Sequence, residues 1–123
     1  KLGIRTDCCS ITPHMERQLT GCSALFIEFN HDEEMLKRSQ YPLTLKERIL
    51  GRYGHISNSD AAQLLGRIKG PQLQYVVAAH LSKENNDPNL VRSLIANSLG
   101  WNEEHIDIAT QELGVDWRIV GAA

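Results

Sequence analysis

Apolar positions along the 123 residues fall into two kinds of run. Short runs at Leu2–Thr6, Ser23–Asn30 and Leu73–Ala79 suit strands, and the continuous rather than alternating pattern of Ser23–Asn30 suggests burial on both faces. Between them, apolar residues recur at helical spacing. Thr12 before Pro13 predicts a capped helix over Pro13–Leu19, closed by Gly21. His31-Asp32-Glu33-Glu34-Met35-Leu36 opens a second, with carboxylates where they complement the positive end of the helix dipole, and Tyr41-Pro42 breaks it. Leu45, Ile49 and Leu50 share one face of a third helix over Thr44–Leu50, and Asn58-Ser59-Asp60 caps a fourth. Asp87-Pro88 begins the longest, with Leu90, Val91, Leu94, Ile95 and Leu99 at a 3.6-residue period. Ile106–Thr110 and Trp117–Val120 read as two final short strands. Strand, helix and strand within about 30 residues is the βαβ arrangement. The expectation is an α/β fold of about five strands and four or five helices, with helices packed on one face.

Composition narrows the function classes. With 41% hydrophobic and 23% charged residues, a net charge of −2 and a pI near 6.2, the chain reads as one domain and not as a strongly basic nucleic-acid platform, although a locally basic groove stays compatible. No apolar run approaches the roughly 18 residues of a membrane span, and Lys1-Leu2-Gly3-Ile4-Arg5 is not a signal peptide, so a soluble cytoplasmic protein without membrane partners is expected. Cys8, Cys9 and Cys22 form neither an even disulfide framework nor a spaced zinc knuckle, and reduced thiols follow. Trp101 and Trp117 are expected to cover core, and His14 and His105 to lie on the surface. The chain opens with a strand already under way and no initiator Met, which suggests that its first residue is not the natural one.

Ligands of open α/β sheets bind outside the carboxyl ends of the strands. Three polar clusters fall there: Asp7, Asn30-His31-Asp32 and His80. Asp and His suit zinc or manganese, while each alone is equally a residue that ends a strand. His55, in Gly54-His55-Ile56-Ser57-Asn58, occupies a loop before a helix, where Ser57 or Asn58 can cap and His55 can either swing toward a substrate or remain solvated. Lys83, Glu84 and Asn85 can contact phosphate or form a solvated turn. The adjacent cysteines bring no base of their own for nucleophilic chemistry.

The ordered set Thr6-Asp7, Glu28-Phe29-Asn30-His31-Asp32, Gly54-His55-Ile56-Ser57-Asn58-Ser59-Asp60-Ala61-Ala62 and Ala79-His80-Leu81-Ser82-Lys83-Glu84-Asn85-Asn86 resembles the C-terminal half of a metallo-β-lactamase-fold hydrolase, in the small bacterial branch related to ribonuclease Z that includes exodeoxyribonuclease-like proteins. The resemblance implies an αββα sandwich of which residues 1–123 form one partial domain, and two divalent ions, zinc or manganese, in the complete protein. It implies that Asp7 bridges the metals, that His80 ligates the second, and that His55 assists at the scissile phosphate. Asn30, His31, Asp32, Ser57, Asn58 and Ser82 fall beside the site as substrate-binding or supporting residues. The implied reaction is attack on a phosphodiester, most simply of nucleic acid, by metal-activated water. The superfamily's His-x-His-x-Asp-His cluster does not occur in the sequence, so the N-terminal metal-binding half is expected to be absent, the chain alone inactive, and its own metal binding weak or nil. One sheet face would then be bare, to be covered by the missing half or by a homo-oligomer. The alternative is an inert interaction or structural fragment of the same fold. Thioester or lactone hydrolysis is a third possibility within the family.

Overall fold

A computed structural model describes residues 1–7, 9–51 and 54–121, so Cys8 lies outside the described residues. The chain runs β1 (Leu2–Arg5), α1 (Pro13–Leu19), β2 (Ala24–Glu28), α2 (Glu33–Arg38), α3 (Leu43–Leu50), α4 (Asn58–Ile68), β3 (Tyr75–Ala79), α5 (Pro88–Leu99), a 3-10 turn at Glu103–His105, and β4 (Ile106–Ile108). The expected capping chemistry sets the helix starts. Thr12 Oγ1 accepts from the Met15 amide, Asp32 Oδ2 from Met35, Ser57 Oγ from Asp60 and Asp87 Oδ1 from Asn89, each satisfying a donor that the first turn cannot.

The four strands are all parallel and lie in sequence order, β1-β2-β3-β4. Right-handed crossovers that advance in one direction put α1, α4 and α5 on the same face. The register aligns Gly3, Leu25, Val76 and Ile106, and in the next row Arg5, Ile27, Ala78 and Ile108. Their apolar members join Met15 and Leu19 of α1, Ala61, Leu64, Leu65 and Ile68 of α4, and Val91, Ile95 and Leu99 of α5 in one core. Each large side chain fully buried there, Leu25 or Ile95 for example, contributes roughly 1.5–3 kcal/mol. Gly3 is required by close approach: a Cβ there would stand 2.8 Å from Leu25 Cδ2 and 2.9 Å from Leu19 Cδ2. The opposite face carries Leu2, Ile4, Ala24, Phe26, Tyr75 and Val77, with no covering layer among the described residues, and Leu2 and Ile4 are 62% and 64% exposed.

The sheet has four strands where about five are expected, and the difference lies at Trp117–Val120. That segment joins no ladder. Arg118 reaches Asp107 through two bonds of 2.7 Å, and the Gln74 side chain exchanges two bonds of 3.0 Å with the Gly121 backbone, so side chains rather than strand pairing hold it. Its apolar alternation finds nothing to cover: Trp117, expected against the core, is fully exposed. Trp101 does pack on the core, and His14 and His105 are exposed. No helix among the described residues is long and apolar enough to cross a membrane.

Candidate metal centre

Parallel strands bring their carboxyl ends to one edge, and Asp7, Glu28 and His80 follow or end β1, β2 and β3 there. His55 arrives by a different route. Beyond β2 the chain stays extended, with the Phe29 amide donating to Ala79 O, Asn30 to Ile56 O and Asn58 to His31 O. A parallel bridge between His31 and Ser57 completes this seam. The loop before α4 is thereby drawn alongside the end of β2.

The result is a cluster in which one oxygen or nitrogen from each of Asp7, Glu28, His55 and His80 lies within 4.8 Å of the others. His55 Nδ1 donates to Glu28 Oε1 at 2.7 Å. His80 Nδ1 stands 3.3 Å from the same oxygen and 3.5 Å from Asp7 Oδ1. The two imidazole rings meet edge to face at 5.1 Å. Glu28 is fully buried, and a carboxylate removed from water keeps its charge only where donors or cations face it. Asp7 and His80 both adopt left-handed backbone, at φ 50° and 57°, a conformation that costs a non-glycine residue about 1–3 kcal/mol and that concentrates at functional sites. Two carboxylates and two imidazoles are a donor set suited to zinc or manganese, so the residues present fit a divalent cation.

Around this cluster the other expected residues are engaged in hydrogen bonds that tie the loops and helix starts together. Asn30 Nδ2 donates to the His80 carbonyl at 3.0 Å, holding the left-handed turn. Asn30 Oδ1 accepts from His31 Nδ1 at 3.2 Å. Asp32 and Ser57 are engaged as helix caps, and Ser82 accepts the Asn85 amide on its hydroxyl while its own amide donates to Asn30 O. Asn58 and Asn86 exchange side-chain bonds of 2.8 and 2.9 Å, and Asn86 donates also to Phe29 O, tying three loops together. Lys83 is paired with Glu112 at 2.6 Å, which holds that carboxyl below its ordinary value.

His31 is buried, and its pKa is lowered by that burial against the opposing pull of the Glu33, Asp32 and Glu28 carboxylates, while His55 adds to the lowering. Its Nε2 and the Oδ1 of Asn85 have no hydrogen-bond partner among the described residues, at a cost of roughly 1–3 kcal/mol each. Neither Glu28 nor Asn86 stands out as a site residue on sequence reasoning. The available signal for Glu28 was a single charge inside an otherwise apolar strand, a residue that must find partners once the strand is buried.

Comparison with known proteins yields two groups of relatives. Over 99 residues the chain is 35% identical to exodeoxyribonuclease YycJ of Bacillus anthracis, which covers 80% of this chain and 38% of that protein. Over 114 residues it is 33% identical to exodeoxyribonuclease WalJ of Streptococcus pneumoniae, covering 93% of this chain and 40% of WalJ. A stretch of 97 residues is 30% identical to a glutamine-hydrolysing GMP synthase of Cupriavidus taiwanensis, 18% of whose length it covers. The chain thus spans about two fifths of the length of YycJ and WalJ. No protein-family model and no solved structure matches it.

Proposed function

We propose that the chain, similar over part of their length to exodeoxyribonucleases YycJ and WalJ, belongs with the metallo-β-lactamase-fold branch related to ribonuclease Z and is the C-terminal part of a metal-dependent hydrolase of nucleic-acid phosphodiesters. The observation that carries this reading is the convergence of Asp7, Glu28, His55 and His80 on the ligand-binding edge of the sheet. Asp7 and His80 would hold the cation, with Glu28 and His55 beside them. When bound, divalent cations lower the pKa of water and offset the charge that develops on the phosphate oxygens. Glu28 fixes His55 through the Nδ1 proton, so Nε2 of the neutral ring is an acceptor, and only in the imidazolium form would Nε2–H give a proton to the oxygen that leaves phosphorus. Asn30 keeps the His80 turn in place.

Hydrolysis belongs, in this reading, to the longer polypeptide, and residues 1–123 alone are inactive, because the sequence holds no His-x-His-x-Asp-His cluster. The rest of that polypeptide covers the bare face of the sheet. The likeness to a GMP synthase favours no second reading: the side chains that converge are carboxylates and imidazoles, and Cys22 is buried just ahead of β2, at the end opposite Glu28.

The test is exonuclease activity of the full-length protein on end-labelled DNA with Mn²⁺ or Zn²⁺, wild type against His80→Ala and Asp7→Ala, with circular dichroism to verify folding. A loss of about 100-fold or more in folded variants is expected. Full activity in His80→Ala would defeat the reading and leave the inert-module alternative. Activity on a thioester but not on DNA or bis(p-nitrophenyl) phosphate would move the substrate class.

A further inference from the structure

Charge is unevenly spread along the chain. Residues 35–50 hold Lys37, Arg38, Lys46 and Arg48 against a single carboxylate, Glu47, in a chain whose net charge is −2. The carboxylates just before them, Asp32, Glu33 and Glu34, line a different groove with Asn58, Gln63 and Leu94. Among the described residues neither Arg38 nor Arg48 pairs with a carboxylate, and both are exposed. Lys37 meets only the exposed Glu34, at 3.4 Å. Lys46 Nζ donates to the Lys37 carbonyl at 2.8 Å, which ties the cationic end of α2 to α3.

The α3 helix presents side chains without burying them. None of its residues is buried and no side chain caps its start, while eight residues are too few to hold a helix by propensity alone. Its attachment to the metal cluster is direct: the Ile49 carbonyl accepts the His55 amide at 3.1 Å. Leu45 and Ile49 line, with Tyr41, a cavity of about 260 Å³ beside His55 and His80. At 3.6 residues per turn, Lys46 and Arg48 flank that Leu45–Ile49 stripe on its two sides and Glu47 falls on the far side of the helix. The stripe that lines the cavity is therefore bordered by cations.

A polymer with a negative charge at every phosphate is the partner that suits unpaired cations beside a phosphodiester-cleaving centre. We propose that the end of α2 and the flanks of α3 bind the DNA backbone, Arg38 and Arg48 contacting phosphates next to the one held at the metal cluster. Such contacts position a strand and carry no sequence information. The inference rests on the nuclease reading, and its test measures binding apart from hydrolysis.

Binding of the full-length protein to a fluorescein-labelled single-stranded oligonucleotide with phosphorothioate ends, which resist cleavage, is followed by fluorescence anisotropy between about 50 and 200 mM salt. The double variant Arg38→Gln/Arg48→Gln is expected to raise Kd about tenfold and to flatten the slope of log K against log salt by roughly 1.4, about 0.7 for each lost phosphate contact. Glu47→Gln removes a charge from the far side of the same helix and is expected to bind no more weakly than wild type. Unchanged Kd and slope in the double variant overturn the proposal, the result expected if the rest of the polypeptide covers α3, where Leu43 and Leu50 are 71% and 53% exposed. A comparable loss in Glu47→Gln overturns it as well, since the effect then belongs to the helix and not to its cations. If circular dichroism shows the double variant unfolded, Arg38→Gln alone must still flatten the slope by about 0.7. Cleavage of an unmodified strand is measured on the same preparations. DNA bound with the expected change of slope but never cut ends the nuclease reading and upholds this surface; DNA cut with no change of slope does the reverse. A wild-type protein that binds no DNA overturns both.

Discussion

A carboxylate sealed from water is tolerated at Glu28 because two imidazoles face it, His55 at 2.7 Å and His80 at 3.3 Å. Glu28→Gln keeps the shape of the side chain and removes the charge that orients both rings. In the full-length protein it is expected to lower kcat by about 10²–10⁴ with little change in KM, and adding His55→Ala is expected to cost little more, since the two act as a unit. Independent, additive losses measured in that double-mutant comparison would separate them. His31 carries a second prediction at this scale. Its folded pKa is depressed below the ordinary 6.5, so as pH falls the unfolded chain takes up the proton first. The stability it contributes is complete above about pH 6.5 and is lost as the pH drops toward the folded value. Urea midpoints measured above and below about pH 6.5 are expected to diverge in the wild type, and to diverge less in His31→Gln. These two buried groups were only partly legible in the sequence. His31 and Glu28 both stand in a quoted motif, but a motif does not say which of its members points inward and meets which partner.

Among the elements, the α3–α4 connection has the closest tolerance. A Cβ on Gly54 would collide with the backbone carbonyls of Ile49 and Arg48, and the Ile49 oxygen also accepts the His55 amide. Gly54→Ala must therefore shift the turn that presents His55. The expected outcome is a fall in activity of about 10–100-fold with a loss of no more than about 1–3 kcal/mol in stability, read from kcat and a denaturation curve on the same preparation. An unchanged kcat would show that the His55 loop adapts freely. Helix starts were legible here because caps are local: Thr12, Asp32, Ser57 and Asp87 each satisfy an amide two or three residues on, whatever the rest of the chain does. Trp117–Val120 was misread for the complementary reason. Apolar alternation measures strand preference, whereas pairing needs an available edge, and this segment is held instead by Arg118 on Asp107, whose carboxyl is pushed down by that bond.

For the whole molecule the consequence is asymmetry. Among the described residues, four parallel strands in sequence order carry the core of α1, α4 and α5 on one face, and Leu2, Ile4, Phe26 and Val77 lie on the other. An apolar face of this kind marks an interface or an aggregation site. Prepared alone, residues 1–123 are expected to self-associate through it, and Ile4→Glu to reduce that association without melting the core, because Ile4 is 64% exposed. Light scattering of both proteins is the measurement. A monodisperse wild-type monomer would count against the sheet face as the sticking surface.

By itself the sequence determined the order and type of the elements as far as β4, most of their caps, and the polar residues at strand ends, because these depend on periodicity and on contacts a few residues apart. It also carried the relationship to the nuclease branch, which resides in motif order. Tertiary structure alone decided that Glu28 belongs with Asp7, His55 and His80, that His31 Nε2 and Asn85 Oδ1 are buried without a hydrogen-bond partner among the described residues, and that the last apolar segment is not a strand. Each of those depends on which distant chain segment fills the neighbouring space, and a linear pattern of apolar and polar positions does not contain that distance.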